Sequence, residues 1–372
     1  MVLKQIELQN FRLHKNTSLI FSDKLNLIIG GNGQGKTSIL EAIYYLCTTK
    51  NLNLSNESDV VLFGEQNFDV RGKFTDLTTN NSRIYFDLER NKKSFFLNEK
   101  IVSNSSEIIG KFPVVTLIQS DHAITLGTPA DRRKFVDSVI SQASQTYLKI
   151  LLEYNKILRQ RSSLLWRIKE TGDRSLFNQL EAWTESLITS GAEIIKHRVR
   201  FINEFNEYLI NSYSQIVEDK KNPKINYCTI LTDEEEVSKR FREMLEQSRE
   251  EELRRAMNLI GPHRDDFVFY SNGIELKRFG SQGQHKTFQI ALRFAQFFFI
   301  KDKIGRTPVF LMDDVFGELD SNRANRISEH FAAIGQTFIT LTDLTRIEEF
   351  HNNNKNLLIK IDNGTAAYIR QL

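Results

Sequence analysis

The sequence predicts an α/β protein with two parts: lobe I, a mixed sheet around one helix, and lobe II, a mainly helical insertion. Short apolar runs bounded by Gly, Asn and Asp fill residues 1–118 and predict strands. From Pro129, apolar residues recur at three- and four-residue spacing and predict helices. The strand pattern resumes at Pro308–Met312. A chain of 372 residues can bury two cores, so we place lobe I at 1–118 plus 305–372 and lobe II at 119–304.

The elements of lobe I are mainly strands. Met1–Phe11 alternates apolar and polar residues without a long apolar core, so it predicts a first strand and no secretion signal. One helix is expected from Lys36 to Leu46, directly after a loop that follows the apolar strand Leu25–Ile29. The other predicted strands of lobe I are Val2–Gln9, Thr17–Phe21, Phe68–Thr75, Arg83–Glu89, Ser94–Leu97, Val114–Ile118, Pro308–Met312 and Phe338–Asp343.

Lobe II is predicted to begin as a helical hairpin or small bundle. Two amphipathic segments flank the turn Thr171–Asp173, and their heptads stop within a few turns, so a long coiled coil is not expected. The elements predicted after them are a strand at Lys224–Leu231, a charged helix at Asp233–Leu259 closed by Pro262, a hairpin at Ser271–Gly273 and a helix from near Gln284.

The composition narrows the classes of function. A net charge of +3 and a pI near 8.6 are too mild to establish nucleic-acid binding, although they leave room for a local basic face. Cys47 and Cys228 form no CxxC pair, so neither a disulfide framework nor a zinc ribbon is expected, and a reduced, cytoplasmic location is predicted. The apolar stretch Ile290–Ile300 is too short to cross a bilayer, so no membrane partner is predicted.

The loop between Leu25–Ile29 and the helix at Lys36 carries the most demanding pattern. It fits the phosphate-binding sequence G-x-x-x-x-G-K-T completely, in the strand, loop, helix context that this pattern requires. Lys36 is predicted to reach the β- and γ-phosphates of a nucleoside triphosphate, and the Thr37 hydroxyl to hold Mg²⁺. A plain Gly-rich turn is the alternative. The predicted nucleotide-binding residues here are Gly30, Gly31, Asn32, Gly33, Gln34, Gly35, Lys36, Thr37 and Ser38.

A second chemical signal is the apolar strand that ends in Asp313 and Asp314. Alone, an Asp-Asp pair after a strand is typical of a solvated turn. Because the phosphate loop occurs in the same chain, we predict that Asp313 acts on Mg²⁺, directly or through water. Asp314 is predicted to orient or activate the attacking water. Lys36, Asp313 and Asp314 are therefore the predicted catalytic residues.

A third signal is the turn Phe279–Gln284, which contains Ser-Gln-Gly-Gln and precedes an apolar helical run. Its free N–H groups suit a phosphate, while ordinary capping of the helix by Ser281 is the alternative. The order of the motifs is a phosphate loop, a helical insertion, this Ser-x-Gly-Gln turn and the Asp-Asp strand. That order resembles the ABC-type ATPases, in which the turn of one subunit closes on ATP held by the other.

Over nearly its whole length the chain resembles the RecF family of DNA replication and repair proteins. Two of the segments, those beginning at Gly127 and Gly261, are specific to this family among ABC-type ATPases. The segments that carry the resemblance are Gln9–Arg12, Gly30–Glu41, Gly127–Asp137, Gly261–Asp266, Ser281–Gln284 and Leu311–Asp320.

The resemblance implies an SMC-like ATPase head that binds ATP and Mg²⁺. Arg12 would lie near the nucleotide, and Ser281, Gly283 and Gln284 would face the γ-phosphate of a partner subunit. Asp320 would lie in the loop that crosses the dimer interface.

One further residue is a metal candidate by resemblance. Gln119 follows the strand Val114–Ile118, where SMC-like ATPases carry a Gln that contacts metal and water and most RecF sequences carry Pro. In the last strand, Phe338–Asp343 lacks the histidine of transporter ATPases, and Thr342 is the nearest polar substitute.

The family also implies partners: DNA, as a duplex or gapped duplex bound without sequence specificity, a second copy of the chain held by ATP, and RecR and RecO. In this interpretation ATP closes a dimeric clamp on DNA, and slow hydrolysis opens it. The clusters that are candidates for DNA contact, each of which a solvated helix face would also explain, are Arg132 and Lys134, Arg159 and Arg161, and Lys196, Arg198 and Arg200.

Two alternatives from other classes remain. An SMC-like ATPase subunit of a nuclease or defence system would use the same head, but such proteins usually append a metal-dependent catalytic domain, and no acidic cluster resembling one follows Asp320. A transporter ATPase would be expected to carry the missing histidine.

Overall fold

The computed structural model describes residues 1–52, 56–217, 222–229, 236–315, 326–327, 334–342 and 356–371. By packing, the chain divides into two compact units. The first comprises Met1–Asp121, Ser212–Lys220 and Gln289–Leu372, and the second comprises His122–Asn211 and Lys221–Phe288. Residues 289–304, which the sequence pattern assigns to lobe II, therefore group with the first unit. The division into lobes I and II stays a prediction.

The strands of the described residues fall into three sheets. In chain order they are β1 (Val2–Phe11), β2 (His14–Ile20), β3 (Leu25–Ile29), β4 (Asn67–Thr75), β5 (Thr79–Asp87), β6 (Lys92–Leu97), β7 (Lys100–Ile101), β8 (Val114–Leu117), β9 (Pro223–Cys228), β10 (Asp266–Ser271), β11 (Ile274–Glu275), β12 (Val309–Asp313), β13 (Thr337–Leu341), β14 (Leu357–Asp362) and β15 (Thr365–Gln371).

The α-helices of the same residues range from one turn to more than ten. They are α1 (Lys36–Thr48), α2 (His122–Leu126), α3 (Pro129–Ala143), α4 (Gln145–Thr171), α5 (Phe177–Ile216), α6 (Val237–Arg255), α7 (Leu276–Phe279) and α8 (Gln282–Ile304).

A mainly parallel sheet in the first unit positions the phosphate loop. Among the described residues its order is β15-β14-β3-β13-β12-β8, and every neighbouring pair is parallel except β14 with β15. Strands β3 and β13 are buried along their whole length, as is usual for central strands covered on both faces. Parallel strands end at one edge of a sheet, so the loop after β3 and the carboxylates after β12 share an edge.

The other sheet of the first unit is antiparallel, in the order β2-β1-β4-β5-β6-β7. Along β1, Ile6 and Leu8 alternate with exposed residues and point into the core, and Leu3 joins them across an irregularity in the pairing between Leu3 and Gln5. Helix α1 contributes Ile39, Ile43 and Leu46 to the same hydrophobic core, and Phe68 of β4 belongs to it as well.

The second unit contains the predicted antiparallel helical hairpin. The Arg161 side chain of α4 donates to the Thr184 hydroxyl of α5. Nearer the start of α4 and the end of α5, the Arg198 side chain of α5 donates to the Tyr147 hydroxyl of α4. As the residue number rises in α4 it falls in the facing part of α5, so the two helices are antiparallel and the prediction is confirmed. A three-stranded antiparallel sheet, β11-β10-β9, completes the described elements of this unit.

Some predicted elements differ from the observed ones. Helix α6 ends at Arg255, because Ala256 adopts a left-handed conformation, with φ of 54°, that turns the chain before Leu259. The prediction that the helix continues to Leu259 and closes at Pro262 is therefore wrong. The hairpin β14–β15 was not predicted, and residues 230–235, which include the expected end of one strand and start of α6, lie outside the described residues.

None of the helices in the part of the chain that the structure describes is both long and apolar enough to span a bilayer.

Candidate functional site

The loop between β3 and α1 has the backbone that a phosphate cradle needs. Gly33 and Gly35 have φ of 75° and 104°, in the left-handed region where a side chain would strain the backbone. Gly35 is the N-cap of α1, and neither a side-chain cap nor an acidic residue occupies the first turn. The first N–H groups of α1 therefore have no side-chain acceptor at the cap, and the positive end of the helix dipole favours an anion there.

Lys36 lies over this loop. Its ammonium nitrogen is 2.5 Å from the Gly30 carbonyl oxygen and 2.8 Å from that of Gly31. Burial lowers the pKa of Lys36, while the negative charges of Asp314 and Asp313 act in the opposite direction. The cation and both carboxylates are thus close enough to influence one another, although 276 residues separate Thr37, the neighbour of Lys36, from Asp313.

Thr37 and Asp313 meet directly. The Thr37 hydroxyl oxygen lies 2.9 and 3.0 Å from the two carboxylate oxygens of Asp313. On the other side, the Thr340 hydroxyl donates to Asp313 over 2.7 Å and accepts from the backbone N–H of Asp314 over 2.9 Å. Thr340 belongs to β13, which runs between β3 and β12, so one hydroxyl fixes both acidic residues.

The donor set fits a nucleotide with Mg²⁺. A hydroxyl oxygen and a carboxylate in contact are ligands that Mg²⁺ accepts, and this ion usually takes few protein ligands beside phosphate oxygens and waters. The described residues contain no group of three or more His, Cys, Asp or Glu that could hold a metal by themselves. Thr37 and Asp313 would therefore hold Mg²⁺ only together with a nucleotide.

Strand β2 and the β14–β15 turn of the first unit both contact the phosphate loop. His14 is fully buried, and its Nε2 lies 3.0 Å from the Gly35 carbonyl oxygen, while its Nδ1 lies 3.0 Å from the Thr17 hydroxyl. Thr17 donates to the Gly364 carbonyl over 3.1 Å, and the Gly364 N–H donates to the Gln34 carbonyl over 3.0 Å. Hydrogen bonds thus connect the loop to strand β2 and to the β14–β15 turn.

Neither His14 nor Thr340 was predicted from the sequence. His14 lies two residues after Arg12, in a motif that drew attention to the arginine. For the strand β13, Thr342 was named as the polar residue; it is exposed and one residue beyond the strand, whereas the buried Thr340 contacts Asp313. A polar residue between the apolar residues Ile339 and Leu341 of a central strand was the available signal.

Arg12 forms a two-point ion pair with Glu41 of α1. Its Nε and Nη2 each donate over 2.8 Å to one carboxylate oxygen, and its Nη1 donates to the Asp59 carbonyl. The hydrogen bond with Glu41 raises the pKa of Arg12. Glu41 is four residues after Thr37, hence one helical turn away. The contact between Arg12 and nucleotide stays a prediction.

Two further predicted residues differ in what can be said of them. Gln119 is exposed and begins a short 3₁₀ turn after β8, the neighbour of β12, at the same edge of the sheet as Asp313. Its role at a metal stays a prediction. Asp320 lies outside the described residues.

In the second unit, the Ser281 turn is an exposed helix start. The Ser281 N–H donates to the Gln284 side-chain oxygen over 2.8 Å, and the Gln284 N–H donates to the Ser281 hydroxyl over 3.3 Å. This reciprocal pair is a capping box. Capping alone accounts for both side chains, and their contact with a partner's phosphate, like that of Gly283, stays a prediction.

Comparison with known proteins identifies the family. The model described as RecF/RecN/SMC N terminal domain matches residues 2–365. The DNA replication and repair protein RecF of Chloroherpeton thalassium is 38% identical over 353 residues, which are 92% of this chain and 95% of that protein. The RecF of Prosthecochloris aestuarii is 37% identical over 359 residues, 94% and 96% of the two chains. The chain belongs to the RecF family of DNA replication and repair proteins.

Solved structures agree with the RecF assignment. The structure of the recombination mediator protein RecF-ATPrS in the RecFOR pathway matches with a TM-score of 0.90 and 30% identity, over 99% of this chain and 98% of that one. An Smc head domain from Pyrococcus furiosus matches with a TM-score of 0.57 at 15% identity, a likeness of fold alone. The predicted fold class, an ABC-type ATPase head, is confirmed, and the transporter and nuclease alternatives are set aside.

The segments Gly127–Asp137 and Gly261–Asp266 pack together inside the second unit. Arg132 and Asp266 form a two-point ion pair at 2.7 and 2.9 Å, and Tyr227 donates to Asp265. The Nδ1 atom of His263 lies 2.7 Å from the hydroxyl oxygen of Tyr154. These RecF residues therefore build the interior of the unit.

This network corrects three candidate DNA contacts. The side chains of Arg132, Arg161 and Arg198 are 6%, 4% and 3% exposed, and carboxylates of the protein bind each of them. Arg198 pairs with Asp137, and Arg161 with Glu252. A guanidinium held in this way has no surface to offer a DNA phosphate, so the prediction of DNA contact is wrong for these three RecF residues. Lys134, Arg159 and Arg200 are exposed.

Proposed function

We propose that the protein binds ATP with Mg²⁺, dimerises around two ATP molecules to hold DNA, and hydrolyses ATP slowly to release it. The observation that carries the proposal is the contact between Thr37 and Asp313, because a phosphate-loop hydroxyl beside a carboxylate is the arrangement that places Mg²⁺ on a bound triphosphate. The solved relatives RecF-ATPrS and RecF-ATP support ATP as the nucleotide.

The residues of the loop have separate roles. The N–H groups from Gly30 to Ser38 receive the phosphates, and the Lys36 ammonium exchanges its loop carbonyls for β- and γ-phosphate oxygens. Mg²⁺, when bound, neutralises charge on those oxygens. Thr37 and Asp313 hold the ion, with Gln119 as a further oxygen donor to metal or water.

Asp314 is the residue that orients the attacking water. Its N–H is fixed by Thr340, and its φ of 51° turns the chain sharply away from the β12 direction. Its charge acts on Lys36, so the carboxylate lies near the cation that binds the γ-phosphate. A carboxylate in that position accepts a proton from water as the phosphorus is attacked.

The dimer completes the site. Ser281, Gly283 and Gln284 of one subunit meet the γ-phosphate held by the other, and Asp320 lies in the crossing loop. The start of α8 is exposed, and the positive end of the helix dipole there favours an anion. Because ATP then contacts both subunits only in the closed dimer, its loss shifts the population towards separate subunits.

DNA binds through its phosphates, without sequence specificity, as a duplex or gapped duplex. RecR and RecO are proposed as protein partners, since the solved relative is assigned to the RecFOR pathway. The proposed location is cytoplasmic.

The test is the rate of ATP hydrolysis per subunit, measured against protein concentration, with and without duplex DNA and with and without Mg²⁺. The expected result is a specific activity that rises with concentration and with DNA, requires Mg²⁺, and is lost in Lys36→Met. A rate per subunit that does not depend on concentration would contradict the shared site, and with it the roles of Ser281 and Gly283.

A further inference from the structure

Helix α4 carries an exposed line of residues on the side opposite to its packed face. The line follows three- and four-residue spacing, which keeps it on one side of the helix. Trp166 is 59% exposed and Leu152 is 49% exposed, and the remaining members are also exposed. The members of this α4 stripe are Lys149, Leu152, Lys156, Arg159, Ser163 and Trp166.

The packing of α4 does not require the stripe. The helix is anchored by its other side, where Tyr147, Tyr154 and Leu165 are buried and Arg161 is paired with Glu252. Arg159 and Arg161 therefore have opposite environments although only one residue lies between them. The first is on the surface and the second is in the interior.

The basic members of the stripe are available to a ligand. Among the described residues, Lys149, Lys156 and Arg159 form neither an ion pair nor a side-chain hydrogen bond. Glu153 lies beside the stripe, and Lys169 and Glu170, which have opposite charges, follow Trp166 by about one turn. The stripe thus combines three cations with one exposed indole at its end.

The chemistry and length of the stripe fit one strand of nucleic acid. Its seventeen residue steps from Lys149 to Trp166 span roughly 25 Å at the rise of an α-helix, which is about seven nucleotides at the charge spacing of one strand. Lys and Arg suit the phosphates, and an exposed Trp can stack on a base. In a duplex the base faces are covered by neighbouring bases, so only an unpaired base offers its face to Trp166.

We infer that the α4 stripe binds the single-stranded part of gapped DNA, with Lys149, Lys156 and Arg159 on phosphates and Trp166 stacked on an unpaired base. The inference rests on the proposed binding of DNA and adds the kind of DNA and the contact surface. A protein surface, including a second copy of this chain, is the competing occupant.

Trp166 itself reports the contact. The chain has two tryptophans, Trp166 and Trp183, so Trp183→Phe leaves Trp166 as the single tryptophan, whose emission is selected by excitation at the red edge of the absorption band. Its fluorescence is titrated with oligothymidine, with a duplex and with a gapped duplex at fixed salt and ATP. The expected result is quenching by the single strand and by the gapped duplex, with little change on the intact duplex.

Variants of the full chain separate stacking from charge. Trp166→Ala is expected to lower the affinity for gapped DNA by about tenfold and the affinity for the duplex only slightly. Trp166→Phe is expected to retain most of the affinity for gapped DNA. Lys156→Glu and Arg159→Glu are expected to lower the affinity for both DNAs and to reduce the dependence of affinity on salt concentration. The matched control is Lys239→Glu, an exposed lysine of α6 that pairs with Glu236.

The outcomes distinguish this inference from the proposed function. If the unaltered protein binds no DNA of any kind, the proposed function itself fails. If it binds gapped DNA and the stripe variants bind as tightly as Lys239→Glu, the inference is overturned. A change in ATP-dependent dimerisation, measured by light scattering, without a change in DNA affinity would overturn it too and assign the stripe to a protein partner.

Discussion

The Nε2 atom of His14 lies 3.0 Å from the carbonyl oxygen of Gly35, the residue that caps helix α1. A carbonyl oxygen only accepts, so the Nε2 atom carries the hydrogen. Burial lowers the pKa of His14, while the carbonyls of Gly35 and Gly364 act in the opposite direction. A fully buried side chain therefore holds the phosphate loop through the Gly35 carbonyl.

Replacing His14 with Leu is expected to weaken ATP binding by about tenfold, because the Gly35 carbonyl loses its donor and the loop can relax. Isothermal titration with ATP and Mg²⁺ measures the dissociation constant. His14→Gln keeps an N–H donor of similar reach and should recover most of the affinity. Equal affinities for all three proteins would show that the hydrogen bond does not position the loop.

Thr340→Val is expected to lower ATP turnover by about 10- to 100-fold, the usual range when a residue that orients a metal ligand is lost. The substitution removes the hydroxyl that contacts Asp313 and the Asp314 N–H but keeps the shape of the side chain. Turnover is measured against Mg²⁺ concentration. Thr342→Val, two residues on and exposed, is the matched control, and an equal loss in both variants would contradict the assignment.

Arg161 and Arg159 are expected to differ sharply in their contribution to stability. Arg161→Met leaves the Glu252 carboxylate buried without its partner, which costs about 3–5 kcal/mol of unfolding free energy. Arg159→Met, at the surface, is expected to stay within about 0.5 kcal/mol of the unaltered protein. Urea unfolding measures both. Adding Glu252→Gln to Arg161→Met should restore part of the loss; no recovery would mean that the charge of Glu252 is not the cause.

His263 is expected to make the second unit less stable in mild acid. Burial of the ring lowers its pKa to about 4 from the ordinary 6.5, and the positive charges of Arg264, Arg133 and Arg161 act in the same direction. The unfolded chain takes up the proton at higher pH than the folded one. The contribution is therefore complete above pH 6.5 and is lost as pH falls towards 4, by at most about 3 kcal/mol. Urea unfolding at several pH values should show a smaller acid loss in His263→Gln, and equal losses would exclude His263 as the source.

How much of this site can be predicted depends on how far apart in sequence the interacting residues lie. Gly30 to Thr37 could be recognised because the loop, its strand and its helix are adjacent in sequence. Thr340 and His14 could not be recognised in this way, because each meets its partner, Asp313 or Gly35, only in the folded chain. The three- and four-residue spacing of α4 places Arg161 among its apolar residues and Arg159 outside them, but the pattern could not identify Glu252, 91 positions away, as the partner of the buried arginine.

Contact between Thr37 and Asp313, across 276 positions of sequence, has a consequence for how the protein reaches its native state. Strand β3 pairs with β13 and β14, so the parallel sheet closes long stretches of chain, whereas the α4–α5 hairpin needs only local contacts. Long-range pairings of this kind form slowly, because the chain entropy of closure is lost before the contacts are gained. In refolding, the helical hairpin is thus expected to precede the phosphate loop. ATP can bind only after that last step. Because it binds the native state alone, it stabilises that state and raises the native share of the population.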